Sequence, residues 1–284
     1  MYAVAGVTGN TGAVVARTLL ERGAPVRVIV RDAARGAPWR ERGAEVAVAD
    51  LGDEAALTEA LRGVAGAYLL VPPQVGAADP VAAGVALAEV AARAAAAAEV
   101  PHVVLLSSVG AEHPAGTGPV VALHRAEASF RAASPALTAL RAGYFLENYG
   151  AVLQVVRTDG VLPTFIAADQ AVPTVSVRDI GRVAAELLLE GPQGDRVVPL
   201  AGPVDATPQD AAGALTALLG RPIALAAAPP EAAEGAFTGM GMPQPMAALY
   251  GELYQGIAAG RLSFPEAPRR GVVGLQDGLR ALLG

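Results

Sequence analysis

The sequence predicts an α/β protein built on a doubly wound parallel sheet, with a smaller C-terminal α/β domain. Short apolar runs that mostly lack polar alternation recur along the chain, as in parallel strands buried on both faces: residues 2–5, 26–30, 46–49, 68–71, 102–106, 137–140 and 196–201. Helical segments separate them, and a succession of strand, helix and strand requires right-handed crossovers. The 284 residues suffice for one large domain or a large domain with a smaller companion.

The helices are predicted from their ends as well as from their composition. The first covers residues 12–22 and stops at Gly23, with Pro25 beyond it, because proline cannot continue a helix. Further helices are predicted at residues 53–61, 80–98, 120–133 and 178–190. The segment 80–98 begins with Pro80 and is rich in alanine, the strongest helix former. The run 196–201 closes the sheet after the last of these helices.

The composition changes after Tyr149, where proline punctuates shorter elements. We therefore expect a large domain of residues 1–150 with 176–203, and a smaller domain of residues 151–175 with 204–284. In the smaller domain the stretch GAFTGMGMPQPM contains Phe237 and Met240. Such a mixture of glycine, methionine and proline suits either a mobile cover over a pocket or an ordinary loop packed by flexible apolar side chains.

Charge and composition argue against several classes of function. The chain has 21 basic and 27 acidic residues, a net charge of -6, and no block of like charges, so we expect no direct nucleic acid binding. There is no cysteine, and His102, His113 and His124 lack the spacing of metal ligands, so we expect no bound metal. No unbroken apolar run reaches about 18 residues, and no targeting segment opens the chain. We therefore expect a cytoplasmic protein with no membrane partner.

The stretch GVTGNTG, residues 6–12, follows the first strand and opens the first helix. In that context Gly6 permits a tight turn, Gly9 lets the backbone approach a pyrophosphate, and Gly12 lets the helix pack closely on the sheet. The pyrophosphate then rests on free N–H groups at the helix N-terminus. We assign to cofactor binding Gly6, Thr8, Gly9, Asn10, Thr11 and Gly12. The spacing G-x-x-G-x-x-G differs from the common dehydrogenase fingerprint, so the strand-to-helix context carries this assignment.

The end of the second strand bears on which dinucleotide is bound. A cation there favours the 2′-phosphate of NADP, whereas a carboxylate favours the free ribose of NAD. The sequence VRVIVRD places Arg31 first and Asp32 next, so we favour NADP(H) over NAD(H). The competing interpretation is that Arg31 is a solvated charge and Asp32 binds the ribose of NAD.

Residues at the next two strand ends are further cofactor candidates. Asp50, followed by Leu51, is expected near the adenine amino group, or else acts as a turn or helix cap. Val71 and Pro72 end the fourth strand, and we expect them to form an apolar wall beside the ribose and nicotinamide.

Six segments resemble the NmrA-like branch of the atypical short-chain dehydrogenase/reductases in order and spacing: GVTGNTG, VIVRD, VADL, VVLLSSVG, LTALRAGYFLENY and PTVSVRDIG. That branch includes quinone reductases, dye reductases and redox-sensing regulators. The resemblance implies an NADP-binding Rossmann-type domain, a smaller C-terminal substrate domain, and a ligand between them. It also implies that Ser107 and Ser108 lie beside the nicotinamide and that residues 143–148 line the cleft.

The chain departs from ordinary short-chain dehydrogenases at their catalytic pair. Those enzymes use Tyr-x-x-x-Lys, in which the ammonium lowers the pKa of the phenol. Here all 21 basic residues are arginine, so the pair cannot exist, and the corresponding segment GPVVALHRAEASF contains no tyrosine. It offers His124, which is either a proton donor or substrate clamp, or a surface or packing histidine.

Two hypotheses of function follow. The first is an NADPH-dependent reductase of quinone-like or other conjugated small molecules, which accept hydride into a delocalised system and need mainly proximity and orientation. For this hypothesis Tyr144, Phe145, Phe237 and Met240 supply the apolar surface, and Asn148 a polar anchor. The second is a non-catalytic NADP(H) sensor that acts through a protein partner, which the missing catalytic pair favours.

Overall fold

Twelve strands are present in the computed structural model, which describes residues 1–284. They are β1 (Tyr2–Val4), β2 (Val26–Val30), β3 (Glu45–Val48), β4 (Gly66–Leu70), β5 (Val103–Ser108), β6 (Leu137–Ala142), β7 (Tyr144–Phe145), β8 (Val161–Thr164), β9 (Thr174–Val175), β10 (Arg196–Ala201), β11 (Ala224–Ala227) and β12 (Arg269–Arg270). Eight of them form one parallel sheet in the order β12-β10-β6-β5-β4-β1-β2-β3. The order reverses between β1 and β4, which pair with each other, and ligands of such sheets bind at this point.

Helices cover both faces of the sheet. They are α1 (Asn10–Glu21), α2 (Ala33–Arg40), α3 (Glu54–Leu61), α4 (Pro80–Ala97), α5 (Val120–Ala133), α6 (Leu153–Asp159), α7 (Val177–Glu190), α8 (Pro208–Leu219), α9 (Ala233–Gly239), α10 (Gln244–Ala258) and α11 (Leu275–Leu283), with 3₁₀ turns at Leu146–Val152 and Pro230–Ala232. On one face α1 packs against α7, and on the other α4 lies between α3 and α5. The predicted doubly wound, Rossmann-type fold is therefore confirmed.

Two apolar cores, one on each face, explain the strand pattern seen in the sequence. One contains Val4, Leu19 and Tyr68, and the other contains Leu105 and Phe130. Because side chains of successive strand residues point to opposite faces and both faces are covered, these strands need apolar residues at nearly every position.

The predicted elements agree closely with the observed ones, but α2 and the elements after residue 143 other than α7 and β10 were not predicted. The strands 26–30 and 196–201 and the helix 120–133 have their predicted bounds, and the other predicted elements are shifted by one or two residues at one or both ends. Helix α2 was not predicted. It contains Pro38 in its interior, and its N-cap is Asp32, whose carboxylate accepts a hydrogen bond from the Ala34 amide.

The C-terminal elements form two smaller apolar clusters and two short strand pairs. Strand β11 pairs with β8, and β9 pairs with β7. One cluster includes Leu153, Leu215 and Leu279, and the other includes Ile166 and Ile257. Strand β12, from the predicted smaller domain, adds an edge strand to the large sheet beside β10. The division into two domains stays a prediction.

One helix, α4, is long and apolar enough to cross a membrane by length and composition alone. It packs against α3 and α5, and contributes Ala88, Ala91 and Ala95 to the core on that face. Core helices of soluble proteins pass the same test, so α4 is weak evidence for a membrane span.

Candidate functional site

The glycine turn between β1 and α1 has the backbone geometry that its sequence requires. Gly6 has a φ of +68°, and its carbonyl accepts a hydrogen bond of 2.9 Å from the Gly9 amide. A Cβ on Gly12 would lie 2.4 Å from the carbonyl oxygen of Ala5. Gly12 therefore allows α1 to start directly against the end of β1.

The N-terminus of α1 lacks the cap that the neighbouring crossover helices have. No side chain accepts a hydrogen bond from its first turn, where Gly9 is the N-cap. By contrast Asp32, Asp53 and Asp79 cap α2, α3 and α4. The free amides of α1 can therefore donate hydrogen bonds to an anion. The space beside Gly9 is open, since a Cβ there would meet only the Gly6 oxygen, at 3.4 Å. These features fit the diphosphate of a dinucleotide.

The acidic and basic side chains that follow β2 differ in whether they have hydrogen-bond partners within the protein. Asp32 is used as the cap of α2, through a bond of 2.9 Å between Oδ1 and the Ala34 amide. Arg31 is exposed and makes no hydrogen bond or ion pair within the protein. Arg35, one turn into α2, is exposed and unpaired in the same way. Two guanidinium groups are thus free at this strand end, and the second was not predicted.

The candidates after β3 and β4 make local contacts. Oδ1 of Asp50 accepts a bond of 2.8 Å from the Gly52 amide, which is the turn role considered as the alternative to adenine binding. Asp53, not Asp50, caps α3. Val71 and Pro72 directly follow β4, and the Gln74 side chain donates to the Pro72 carbonyl. The assignment of Asp50, Leu51, Val71 and Pro72 to the cofactor stays a prediction.

The two serines at the end of β5 already have protein partners. The Ser107 hydroxyl donates to Glu127 Oε1 at 2.6 Å, and this carboxylate also forms two hydrogen bonds with Arg141. The Ser108 hydroxyl donates to the Val109 carbonyl at 3.0 Å. The buried network of Ser107, Glu127 and Arg141 ties α5 to the sheet, and the proximity of either serine to the nicotinamide stays a prediction.

His124 lies on α5 one turn before Glu127 and is half-buried. Its Nδ1 is 2.8 Å from the Ala111 carbonyl oxygen, so Nδ1 carries a proton and donates. In the neutral ring Nε2 is then an acceptor, and only the charged imidazolium donates a proton from that atom. The catalytic role of His124 stays a prediction.

An aromatic cluster joins elements from both parts of the chain. The ring of Phe165 lies 5.8 Å from that of Phe237 and 5.2 Å from that of Tyr254. The centre of the Phe237 ring also lies 5.1 Å from that of Tyr250 and 6.0 Å from that of Tyr254. The planes of the Phe237 and Tyr254 rings are nearly parallel, with an angle of 18° between them. The Tyr254 hydroxyl is 3.3 Å from that of Tyr144. Sequence reasoning found Tyr144 and Phe237 but missed the other three, although the spacing of Tyr250 and Tyr254 places them on one face of a helix.

The hydroxyls of this cluster are neutral donors. Burial raises the pKa of Tyr144, Tyr250 and Tyr254 above the ordinary value of 10. Asn148, a predicted substrate contact, lowers the pKa of Tyr144, but this effect is smaller than that of burial. The cluster therefore presents flat apolar surface with polar but uncharged edges.

The other two predicted substrate contacts lie outside the cluster. Phe145 pairs with Val175 and packs against the core on the α1 and α7 face. Met240 is 71% exposed and follows the short helix α9. Their contact with substrate stays a prediction.

Two open cavities lie at the C-terminal elements, away from the glycine turn. They measure about 290 and 380 Å³, and Asp205, which pairs with Arg270, lines both. Neither contains a residue of the aromatic cluster or a predicted cofactor contact.

A parallel sheet with a glycine turn and free helix amides at its first crossover defines a dinucleotide-binding protein of the Rossmann type. The chain belongs to the NmrA-like family, whose model matches residues 2–255. The family resemblance found in the sequence is thus confirmed.

Characterised relatives of this chain are reductases. It is 31% identical to the NAD(P)H azoreductase of Xenophilus azovorans over 256 residues, which are 89% of this chain and 86% of the relative. It is 29% identical to quinone oxidoreductase 2 of Escherichia coli over 269 residues, 92% and 90% of the two chains. The crystal structure of the NADPH-dependent quinone oxidoreductase of E. coli in complex with NADPH matches with a TM-score of 0.85 and 26% identity over 100% of both chains. The triphenylmethane reductase of Citrobacter matches in fold, with a TM-score of 0.85 and 20% identity over 99% of this chain and 100% of that chain.

Proposed function

We propose that this chain is an NADPH-dependent reductase that transfers hydride to a flat, conjugated small molecule such as a quinone. The observation that carries the proposal is the uncapped N-terminus of α1 with the unpaired Arg31 beside it at the next strand end. The azoreductase and quinone oxidoreductase relatives support the reaction class.

The preference for NADPH over NADH rests on how the charges after β2 are used. The Asp32 carboxylate is held by the Ala34 amide and contributes to the stability of α2, so its competition for a ribose hydroxyl is reduced. Arg31 and Arg35 have no ion pair to give up, and guanidinium groups bind phosphate with charge-assisted hydrogen bonds. Both would hold the 2′-phosphate that distinguishes NADPH.

Bound NADPH would supply a hydride from C4 of its nicotinamide, which reduces the acceptor by two electrons. The free amides of α1 would hold the diphosphate, and the aromatic cluster of Tyr144, Phe165, Phe237, Tyr250 and Tyr254 would hold the acceptor by its flat faces. Of the two neutral hydroxyls of Tyr144 and Tyr254, one donates to the other, and the second would donate a hydrogen bond to an acceptor oxygen. Because the reduced acceptor is a delocalised anion, water completes its protonation without a Tyr-Lys pair.

The test is NADPH oxidation with a panel of quinones, azo dyes and enals, together with calorimetric titration of NADPH and NADH. We expect turnover with quinones and tighter binding of NADPH than of NADH. Binding without turnover of any acceptor would refute the reductase and favour the alternative, a non-catalytic NADP(H) sensor acting through a protein partner. Absence of binding by either dinucleotide would refute both.

A further inference from the structure

Tyr68 is a buried phenol beneath the glycine turn, and neither the sequence motifs nor the proposed reaction uses it. It lies on β4 opposite Val4 of β1, and its side chain is fully buried in the core on the α1 and α7 face. Its hydroxyl has one hydrogen-bond partner, Oγ1 of Thr11, at 2.9 Å. A polar group in this core therefore reaches the first turn of α1.

The direction of this hydrogen bond follows from the two groups. A phenol is a stronger acid than an aliphatic alcohol, and Tyr68 has no other acceptor, so its O–H donates to Thr11 Oγ1. Burial raises the pKa of Tyr68, which keeps this proton on the phenol at neutral and moderately alkaline pH.

Thr11 therefore has a hydroxyl proton without an acceptor inside the protein. Elsewhere in the chain, the hydroxyls of Thr58, Ser129 and Thr158 donate to the carbonyl four residues earlier in their own helices. For Thr11, the second residue of α1, the residue four positions earlier is Val7, which precedes the helix, so this bond within the helix is not available to it. The Thr11 hydroxyl donates no other hydrogen bond, and the residue is only 7% exposed. Its oxygen is held on the core side by Tyr68, so the proton is directed away from the core.

We propose that Tyr68 is a positioning residue for dinucleotide binding, which orients Thr11 so that the threonine hydroxyl donates to the diphosphate together with the free amides of α1. This inference rests on the proposed function, because it needs a diphosphate at that helix N-terminus. Since NADPH and NADH share the diphosphate, Tyr68 supports the binding of both to the same degree. In this it differs from Arg31, which is proposed to bind only the 2′-phosphate of NADPH.

The test is calorimetric titration of both dinucleotides into Tyr68→Phe, which removes one oxygen atom. We expect the Kd of NADPH and that of NADH to rise about fivefold, the typical effect of one hydrogen bond. In a protein that already carries Thr11→Val, Tyr68→Phe should cause no further rise in either Kd. In a protein that carries Thr11→Ser, where the hydroxyl remains, Tyr68→Phe should raise both Kd values as it does in the wild type. Tyr2→Phe is the matched control, because Tyr2 packs against the same core from the other end of β1, and its variant should bind as the wild type does.

The outcomes separate positioning from a structural role. A lower Tm of the free protein with both Kd values unchanged would overturn the inference. A rise in the Kd of NADPH with that of NADH unchanged would also overturn it. If Tyr68→Phe does not fold, the double variant with Thr11→Val leaves neither hydroxyl unpaired, and wild-type affinity in that variant would equally overturn it. A wild-type protein that binds neither dinucleotide would instead refute the proposed function.

Discussion

Placing a carboxylate at the N-cap of α1 tests the proposed site most directly, because the structure predicts effects of opposite sign on stability and on binding. Gly9 has φ and ψ of -104° and -172°, an extended conformation that any residue adopts. A Cβ there would meet only the Gly6 oxygen, at 3.4 Å. The substitution Gly9→Asp is therefore sterically allowed, and its side chain is placed to accept a hydrogen bond from the first turn of α1.

The stability of the free protein should rise slightly. Replacing a glycine N-cap by aspartate gains a few tenths of a kcal/mol, and the reduced entropy of the unfolded chain adds a similar or larger amount, for a total of about 1 kcal/mol. In a chain of this length this corresponds to a rise in Tm of about 2 °C.

Binding of NADPH should fall sharply, because the new carboxylate stands where the diphosphate is proposed to lie. Two like charges about 4 Å apart repel by about 4 kcal/mol at the effective dielectric constant of a protein surface, so we expect the Kd to rise at least a hundredfold. Gly9→Ser is the control, since serine also caps the helix but carries no charge. Its affinity for NADPH should lie between that of the wild type and that of Gly9→Asp. Calorimetry and thermal unfolding measure both effects, and wild-type affinity in Gly9→Asp would refute the assignment of the diphosphate to this turn.

Three further predictions concern specificity, acid stability and the acceptor. Arg31→Ala should raise the Kd of NADPH roughly tenfold and leave that of NADH unchanged in calorimetry, whereas Arg40→Ala, the same charge change at the far end of α2, should alter neither. Burial, and then Arg196, lower the pKa of His102 from 6.5 to about 4, so its contribution to stability is complete above pH 6.5 and is lost as the pH falls toward 4. The free energy of unfolding, measured with urea, should fall by about 2 kcal/mol more in the wild type than in His102→Gln when the pH is lowered from 7 to 5. The same dependence of this free energy on pH in both proteins would contradict the prediction. Phe165→Ala should raise the KM for a quinone severalfold in steady-state assays with the Kd of NADPH unchanged, and an unchanged KM would remove the ring from the acceptor site.

The sheet could be predicted from the sequence because its strands are buried on both faces. Continuous apolar runs and the glycine turn at residues 6–12 are local signals, and they place seven of the eight strands with errors of one or two residues. The two-residue edge strand β12 was not predicted. Helix α2 was not predicted because Asp32 was considered only for its charge, as the possible ribose ligand in the competing interpretation, and not as a helix cap. Asp32 in fact caps the helix.

The proposed acceptor site was only partly predictable because its rings come from distant parts of the chain. Tyr144 follows β6, Phe165 follows β8, and Tyr254 lies on α10, and nothing in the local sequence of Phe165 shows that the fold brings it within 5.2 Å of Tyr254. The pairing of Tyr68 with Thr11 spans 57 residues and is equally invisible in sequence. Contacts of this kind depend on tertiary packing and not on periodicity.

The distribution of carboxylates explains how an acidic chain, of net charge -6, can offer a site for a polyanion. At the ends of β2, β3 and β4, three aspartates are bound by backbone amides as helix caps, namely Asp32, Asp53 and Asp79, and Asp50 is bound in the same way by the Gly52 amide. Their negative charge is thereby balanced locally by helix N-termini. Among the helices that follow β1 to β4, α1 alone has no side-chain cap, and Arg31 is left without an acidic partner. The affinity for a polyanion would then arise less from added basic residues than from the use of nearby acidic ones as caps. An uncompensated carboxylate at this turn, as in Gly9→Asp, is therefore predicted to weaken binding strongly.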